Sequence, residues 1–154
     1  MSSHPSLKIL EEETRRLFAG PFVGTEFPPH CFVSMQAEFL AYESRRSLTI
    51  RLPVREESLN PMRGMQGGFL AAAFDNALGP LSYLAAGRPC TTLYLDVQFI
   101  RAVGYPDDLT ITARVISRGR ETVLMSAEAV NGRGKLVATA MSASLIVRDR
   151  PASL

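Results

Sequence analysis

A twenty-residue apolar segment, residues 67–86, constrains this chain more than any other feature of its sequence. Apart from Asp75 and Asn76 its side chains are mostly apolar, and they leave no polar face when placed on a helix. A helix that is apolar all round is normally buried inside a larger structure. Gly87-Arg88-Pro89 follows the segment and ends the predicted helix. We therefore expect a central helix that the rest of the chain surrounds.

Six other segments have the length and composition of β-strands: 31–42, 47–53, 91–101, 108–117, 122–131 and 135–147. The first two segments are joined by a short turn, and so are the last four, so we expect neighbouring strands to pair antiparallel. One long apolar helix and about six antiparallel strands predict an α+β fold in which a sheet wraps around the helix. Residues 5–19 predict an additional amphipathic helix. We assign residues 1–20 to an N-terminal helical extension, 21–148 to a single domain, and 149–154 to a tail.

The composition excludes several classes of protein. The formal net charge is +2, from 17 basic and 15 acidic residues, and nucleic-acid binding would require a more concentrated basic face. The two cysteines and two histidines form no cluster of metal ligands, so we expect no metal and no cofactor. The N-terminal residues lack a signal-peptide core, and Asp75 and Asn76 interrupt the longest apolar stretch. We expect a soluble, cytoplasmic protein that does not enter a membrane.

Asp75 lies in the middle of the predicted apolar helix, where a carboxylate is costly unless it is hydrogen-bonded, paired or used in catalysis. Its position alone leaves both a structural and a catalytic interpretation open. The helix begins at Gln66-Gly67-Gly68, and the first backbone N–H groups of a helix have no partner inside it. Glycine lets a ligand oxygen approach these donors closely, as an oxyanion site requires. Asp75 and this helix start together predict a catalytic site.

These residues resemble those of the hotdog-fold thioesterases, and most closely the PaaI-like type of the phenylacetate pathway. The resemblance rests on Asn60, Gly67 and Asp75 at their spacing, followed by an apolar helix and four strands. The run from Thr92 to Arg101 also looks like the first strand after the helix in that family. The similarity extends from about residue 47 to 147. It implies a hotdog fold and an enzyme that hydrolyses small or medium, possibly aromatic, acyl-CoA thioesters.

The resemblance also implies a role for individual residues. Asp75 matches the catalytic acid, which acts as a general base on water or attacks the carbonyl itself. The backbone N–H of Gly67 matches the oxyanion donor, Asn60 an amide near the leaving sulfur or the water, and Thr92 a hydroxyl that holds the water. Gln66 stands where many members have histidine, and an amide donates a hydrogen bond but carries no proton. Gly79 likewise lacks the hydroxyl that some relatives have one helical turn after the acid.

Helix geometry adds a prediction about assembly. Eight residues separate Gly67 from Asp75, which corresponds to about 12 Å of helical rise, so one thioester carbonyl cannot reach both groups of one helix. A site that uses both must combine two subunits, and we expect an obligate homo-oligomer, either a dimer or a dimer of dimers (homotetramer). Further residues are expected to contact the acyl-CoA substrate: Gly68, Asn76, Met65, Arg118 and Arg120.

Three alternatives remain open at this stage. The chain could be a non-catalytic hotdog module that binds acyl-CoA, a hydratase or dehydratase acting on acyl thioesters, or a structural oligomer-forming domain. A binding module would not need Asp75, and neither His4 nor His30 lies near the helix to assist a dehydration. A structural domain leaves the pairing of Gly67 with Asp75 unexplained. Thioester hydrolysis is therefore the predicted function.

Overall fold

The computed structural model describes residues 5–22 and 24–148. Helices α1, α2 and α3 are Pro5–Ala19, His30–Ser34 and Gly67–Ala86, with a single 3-10 turn at Glu56–Ser58. The strands β1 to β6 are Glu38–Glu43, Ser47–Pro53, Cys90–Phe99, Asp108–Arg118, Thr122–Asn131 and Leu136–Ile146. The tail predicted at 149–154 and the first four residues of the predicted extension lie outside the described residues.

The six strands form one antiparallel sheet in the order β1-β2-β4-β5-β6-β3. Alternate residues of β4 and β5 are buried, as expected for a sheet with one face on the core. That core includes Phe74, Leu78 and Leu81 of α3, each at most 1% exposed. The α+β hotdog architecture and the long central helix predicted from the sequence are confirmed.

The N-terminal helix α1 packs against β1 and also contacts the central helix α3. Leu10 and Leu17, two of its apolar positions, are buried. The Glu13 carboxylate of α1 accepts hydrogen bonds from the Tyr42 hydroxyl of β1 and from Ser44 Oγ. Burial, reinforced by this carboxylate, raises the pKa of Tyr42 above its usual range. The predicted amphipathic helix is therefore present and is anchored to the sheet.

The strand predicted over residues 31–42 is wrong in its first half. Residues His30–Ser34 form the short helix α2, which begins after the extended Pro29. Gln36 then adopts a positive φ of 53°, which breaks any continuous strand before β1 begins at Glu38. Phe32 is buried and stacks on Phe39, so its apolar character reflects a tertiary contact. Hydropathy alone does not distinguish such an anchor from a strand residue.

Within one chain, one side of the central helix α3 is left uncovered. Gly68, Phe69, Ala72 and Asp75 form an exposed stripe along the helix, and Phe69 is 42% exposed. Beside the core, β3 pairs only with β6 and is an edge strand. It carries exposed apolar side chains, of which Leu93, Tyr94 and Phe99 are the largest. We call this edge and the helical stripe the open face of the chain.

Candidate active site

The loop before α3 is organised by Asn60. Its Oδ1 accepts hydrogen bonds from the backbone N–H of Met62 at 2.9 Å and of Gly64 at 3.1 Å. The backbone of the same residue accepts from Arg63 N and donates to Gly64 O. These bonds hold a tight turn in which Arg63 has a φ of 60°. The Asn60 amide nitrogen takes no part in the turn, so it alone is left for the substrate contact that the sequence predicts.

The N-terminus of α3 presents two free backbone donors. Among the described residues, the amides of Gly67 and Gly68 have no hydrogen-bond partner, whereas the Phe69 and Leu70 amides bond to Gln66 O. Unpaired N–H groups at a helix N-terminus favour a negatively charged or strongly polarised oxygen. A Cβ on Gly67 would lie 3.1 Å from the Phe99 ring, so the bare glycine lets that ring pack closely beside the donors.

Gln66 is the N-cap of α3. Its Oε1 accepts from the Phe69 amide at 3.1 Å, and its backbone N–H donates to Ser58 O at 2.7 Å. A Cβ at Gly68 would approach this Oε1 to 2.8 Å, so the second glycine makes room for the cap. This capping contact is not among the roles predicted for Gln66 from the sequence. The cap holds the helix start in the geometry that exposes the Gly67 donor.

Asp75 lies on the exposed stripe, just over two helical turns from Gly67. Thr92 Oγ1 of β3 donates to its Oδ1 across 3.4 Å, so the structure brings these two predicted residues together. Burial of the carboxyl raises the pKa of Asp75 above its usual value, and the Thr92 hydrogen bond opposes that rise. A carboxylate whose pKa is raised binds a proton more strongly than a free one, which suits a general base.

A cavity of about 300 Å³ opens beside Asp75. The chain from the end of α1 to the start of α2 provides one wall, and the α3 turn after Asp75 provides the other. A Cβ on Gly79 would meet the Tyr83 hydroxyl only at 3.9 Å, so this turn leaves space in the cavity. Burial, reinforced by the negative charge of Asp75, raises the pKa of Tyr83.

Tyr83 is a site residue that the sequence analysis missed. It follows Asp75 by eight residues and Gly79 by four, so helical spacing alone places the three on one face. This helical spacing is the sequence signal from which Tyr83 could have been predicted to lie beside Asp75. The Tyr83 hydroxyl lies 3.9 Å from the position of a Cβ on Gly79, and its side chain lines the same cavity as Asp75.

Asn76 and Met65 are both buried, and each lines one of the two cavities of about 300 Å³. Asn76 is 6% exposed; its Oδ1 accepts from Cys31 Sγ and its Nδ2 donates to Met35 Sδ. It joins α3 to the segment around α2. Met65 is buried and lines a second cavity of about 300 Å³ together with Phe69, near the helix start.

Arg118 and Arg120 lie at the other end of α3. Arg118 Nη2 donates to the Ala86 carbonyl at 3.2 Å and so binds the last turn of the helix. That turn is about 28 Å of helical rise from Gly67. Arg120 belongs to the next turn, where its carbonyl accepts from Arg148. Within one chain, the structure therefore does not bring either arginine to the free amides.

No helix within residues 5–22 and 24–148 combines the length and hydropathy needed to span a membrane. Over the same residues, the histidine, cysteine and acidic side chains form no group of three or more that would hold a metal ion.

Comparisons with known proteins bear on the family and the fold. Residues 65–138, which include Gly67, Asp75 and Thr92, match the family model of the thioesterase superfamily. A phenylacetic acid degradation-related protein of Ralstonia eutropha is 28% identical over 87% of this chain and 98% of its own, with a TM-score of 0.72. No curated protein sequence was found to match the chain.

Two further solved structures share the fold at lower identity. The E. coli PaaI protein from the phenylacetic acid degradation operon is 20% identical, with 91% of this chain and 97% of that chain covered and a TM-score of 0.71. A Streptococcus mutans protein with bound acetyl-CoA is 19% identical, with 84% and 98% covered and a TM-score of 0.71. Residues 65–138 match the thioesterase superfamily, and the chain shares the hotdog fold of PaaI-like thioesterases over most of its length, so the resemblance predicted from the sequence is confirmed.

Proposed function

We propose that the protein hydrolyses acyl-CoA thioesters to a free acid and CoA. The observation that supports this most is the pair of free amides at Gly67 and Gly68, on the same helix as an Asp75 carboxylate with a raised pKa. Two structural relatives were solved with acetyl-CoA or CoA bound, which supports this substrate class. The cytoplasmic location expected from the composition stays a prediction.

In the proposed reaction the Gly67 N–H binds the thioester oxygen and stabilises the negative charge that develops on it. Ionised Asp75 takes a proton from water, and the resulting hydroxyl adds to the carbonyl carbon. The tetrahedral intermediate collapses as the C–S bond breaks, and the CoA thiolate leaves and takes up the proton. Thr92 orients the Asp75 carboxylate, and direct attack by Asp75 through an anhydride uses the same residues. Gln66 supplies no proton, because an amide side chain does not titrate.

The site in this proposal is shared between two subunits. The continuous helix α3 keeps Gly67 and Asp75 about 12 Å apart, so the two groups that meet one substrate come from different chains. The open face contains Asp75, Gly68 and the unpaired edge of β3, and a second copy seated there would cover its apolar side chains. We therefore propose a homodimer with two equivalent sites, alone or within a tetramer.

The test is release of free thiol from a panel of acyl-CoAs, followed with a thiol reagent. We expect Asp75→Asn to lower kcat/KM at least about a hundredfold, the scale of one lost general base. Asp108→Asn, an exposed carboxylate at the start of β4, is the matched control and should keep full activity. Hydrolysis that survives Asp75→Asn would refute the mechanism. Tight binding of acyl-CoA without turnover would instead support the non-catalytic binding module.

A further inference from the structure

A row of aromatic rings begins at Tyr83, in the cavity that also contains Asp75, and crosses the N-terminal part of the chain. Tyr83 contacts the Phe22 ring at 5.0 Å between centroids, and Phe22 contacts Phe18 at 5.1 Å. Phe18 contacts Phe27 at 5.1 Å, and Phe27 continues to Phe39 at 5.7 Å. Ring pairs at these separations attract one another beyond the burial of their area. The row is therefore a cohesive apolar wall.

Cavities lie on both sides of this wall. The cavity of about 300 Å³ contains Asp75, Gly79 and Tyr83. A larger one of about 800 Å³ lies between α1, residues 25–28 and β1, and Asp75 does not line it. Phe18, Thr25 and Phe27 line both. The two phenylalanine rings thus form the main partition between a small space at the carboxylate and a larger space behind it.

We propose that Phe18 and Phe27 set the length of acyl group that the enzyme accepts, an inference that rests on the proposed function. The acyl group lies in the small cavity with its carbonyl toward Asp75, and its far end stops against the two rings. A volume of about 300 Å³ is at the lower limit of small-molecule pockets. Short acyl groups fit it, and an aryl acyl group gains ring contacts with the wall. Longer acyl chains are excluded because the rings of Phe18 and Phe27 block the way from the small cavity into the larger one.

The two side chains that form the partition can be truncated without creating a cavity among the fully buried core residues. Phe18 and Phe27 are only partly buried, and neither belongs to the group of fully buried core residues. Truncating either ring joins the two spaces into one continuous channel behind Asp75. The expected effect is therefore a change in chain-length preference, which loosened folding alone would not produce.

The experiment measures kcat/KM of the full chain for acetyl-, butyryl-, hexanoyl-, decanoyl- and phenylacetyl-CoA. We expect the wild type to prefer the short and aryl substrates. Phe27→Ala and Phe18→Ala should each raise the ratio of decanoyl to acetyl kcat/KM at least about tenfold, since each methylene accommodated in an apolar pocket is worth a factor of about ten or more. Ile9→Ala, on the exposed side of α1 and outside both cavities, should leave the ratio unchanged.

The outcomes separate this inference from the function on which it rests. Hydrolysis of short acyl-CoAs with the same ratio in the wild type and both phenylalanine variants would overturn the partition alone. A wild type that already prefers decanoyl-CoA would do the same. Absence of hydrolysis for every thioester would overturn the proposed function and this inference together. A raised ratio in both variants, with Ile9→Ala unchanged, supports the partition.

Discussion

The two halves of the proposed site differ in how much of their surroundings one chain provides. At Asp75, the segment from α1 to α2 supplies an aromatic wall, and Thr92 supplies a hydrogen bond. At Gly67, the chain supplies a rigid cap and the Phe99 ring, but the stripe that continues along α3 stays exposed. The first half is therefore complete enough to select an acyl group. The second half holds a donor in place, and in the proposed homodimer its catalytic partner comes from the other subunit.

The largest effect on activity is expected from blocking the β3 edge, which should keep the two halves of the proposed site from meeting. Leu93→Lys places a charge on this edge, where the leucine is 56% exposed, so the single chain should still fold. If the partner is needed, the variant becomes monomeric by light scattering and loses about a hundredfold or more in kcat/KM, the scale of a lost oxyanion donor. The matched control is Ile116→Lys on β4, at a side chain 52% exposed and also at an irregularity of its strand. A monomeric Leu93→Lys variant with full activity would contradict the shared site.

Disturbing the cap should affect only the Gly67 half, and less severely. In Gly68→Ala the new Cβ collides with Gln66 Oε1, so the cap on the Phe69 amide is displaced. We expect a loss of about 1 kcal/mol in the free energy of unfolding, as for other lost caps. We also expect kcat to fall about tenfold, because the Gly67 donor is less well oriented.

A double variant tests the cause of this effect. Gly68→Ala with Gln66→Ala removes the colliding oxygen, so the combined loss should be smaller than the sum of the two single losses. Thermal unfolding and kcat together provide the measurement. Strict additivity would show that the glycine and the cap act independently.

The smallest effect is expected at Thr92, within the Asp75 half. Asp75 must be ionised to act as a base, so activity falls as the pH drops through its pKa. The Thr92 hydrogen bond lowers that pKa, and Thr92→Val should therefore move the acid limb of the kcat/KM profile to higher pH. A shift of up to about one pH unit matches the net value of one hydrogen bond. Thr91→Val is the neighbouring control, and an unmoved acid limb in Thr92→Val would argue against the contact.

Elements defined by local sequence were predicted closely. The bounds of α3 match because an apolar run between Gly67 and Gly87 leaves no other assignment, and Gly87 has the left-handed φ of 66° that ends such a helix. Strands β2 and β5 match because turn residues border them. The predicted proximity of Asp75 and Thr92 also appears in the structure, although their catalytic roles stay predictions.

Features that depend on tertiary contacts were not predicted. Phe32 was assigned to a strand because an apolar side chain has the same hydropathy in a strand as in a helix. In the structure it belongs to the short helix α2 and packs on Phe39. The exposed stripe of α3 consists partly of small residues, Gly68 and Ala72, whose burial depends on what approaches them. The bond from Arg118 to the Ala86 carbonyl was not predicted, because no local pattern indicates it. The expected contact of Arg118 with the substrate stays a prediction.

The position of β3 in the sheet also affects when the site can form during folding. Cys90–Phe99 follows α3 directly in the chain, yet its only strand partner is β6, Leu136–Ile146. Thr92 and Phe99 are therefore held beside α3 by pairing across roughly forty or more residues, a contact of long range that closes late. A nascent chain has Asp75 and the Gly67 donors long before this edge exists. Subunits would consequently recognise each other only after β6 has joined the sheet, which limits premature association during synthesis.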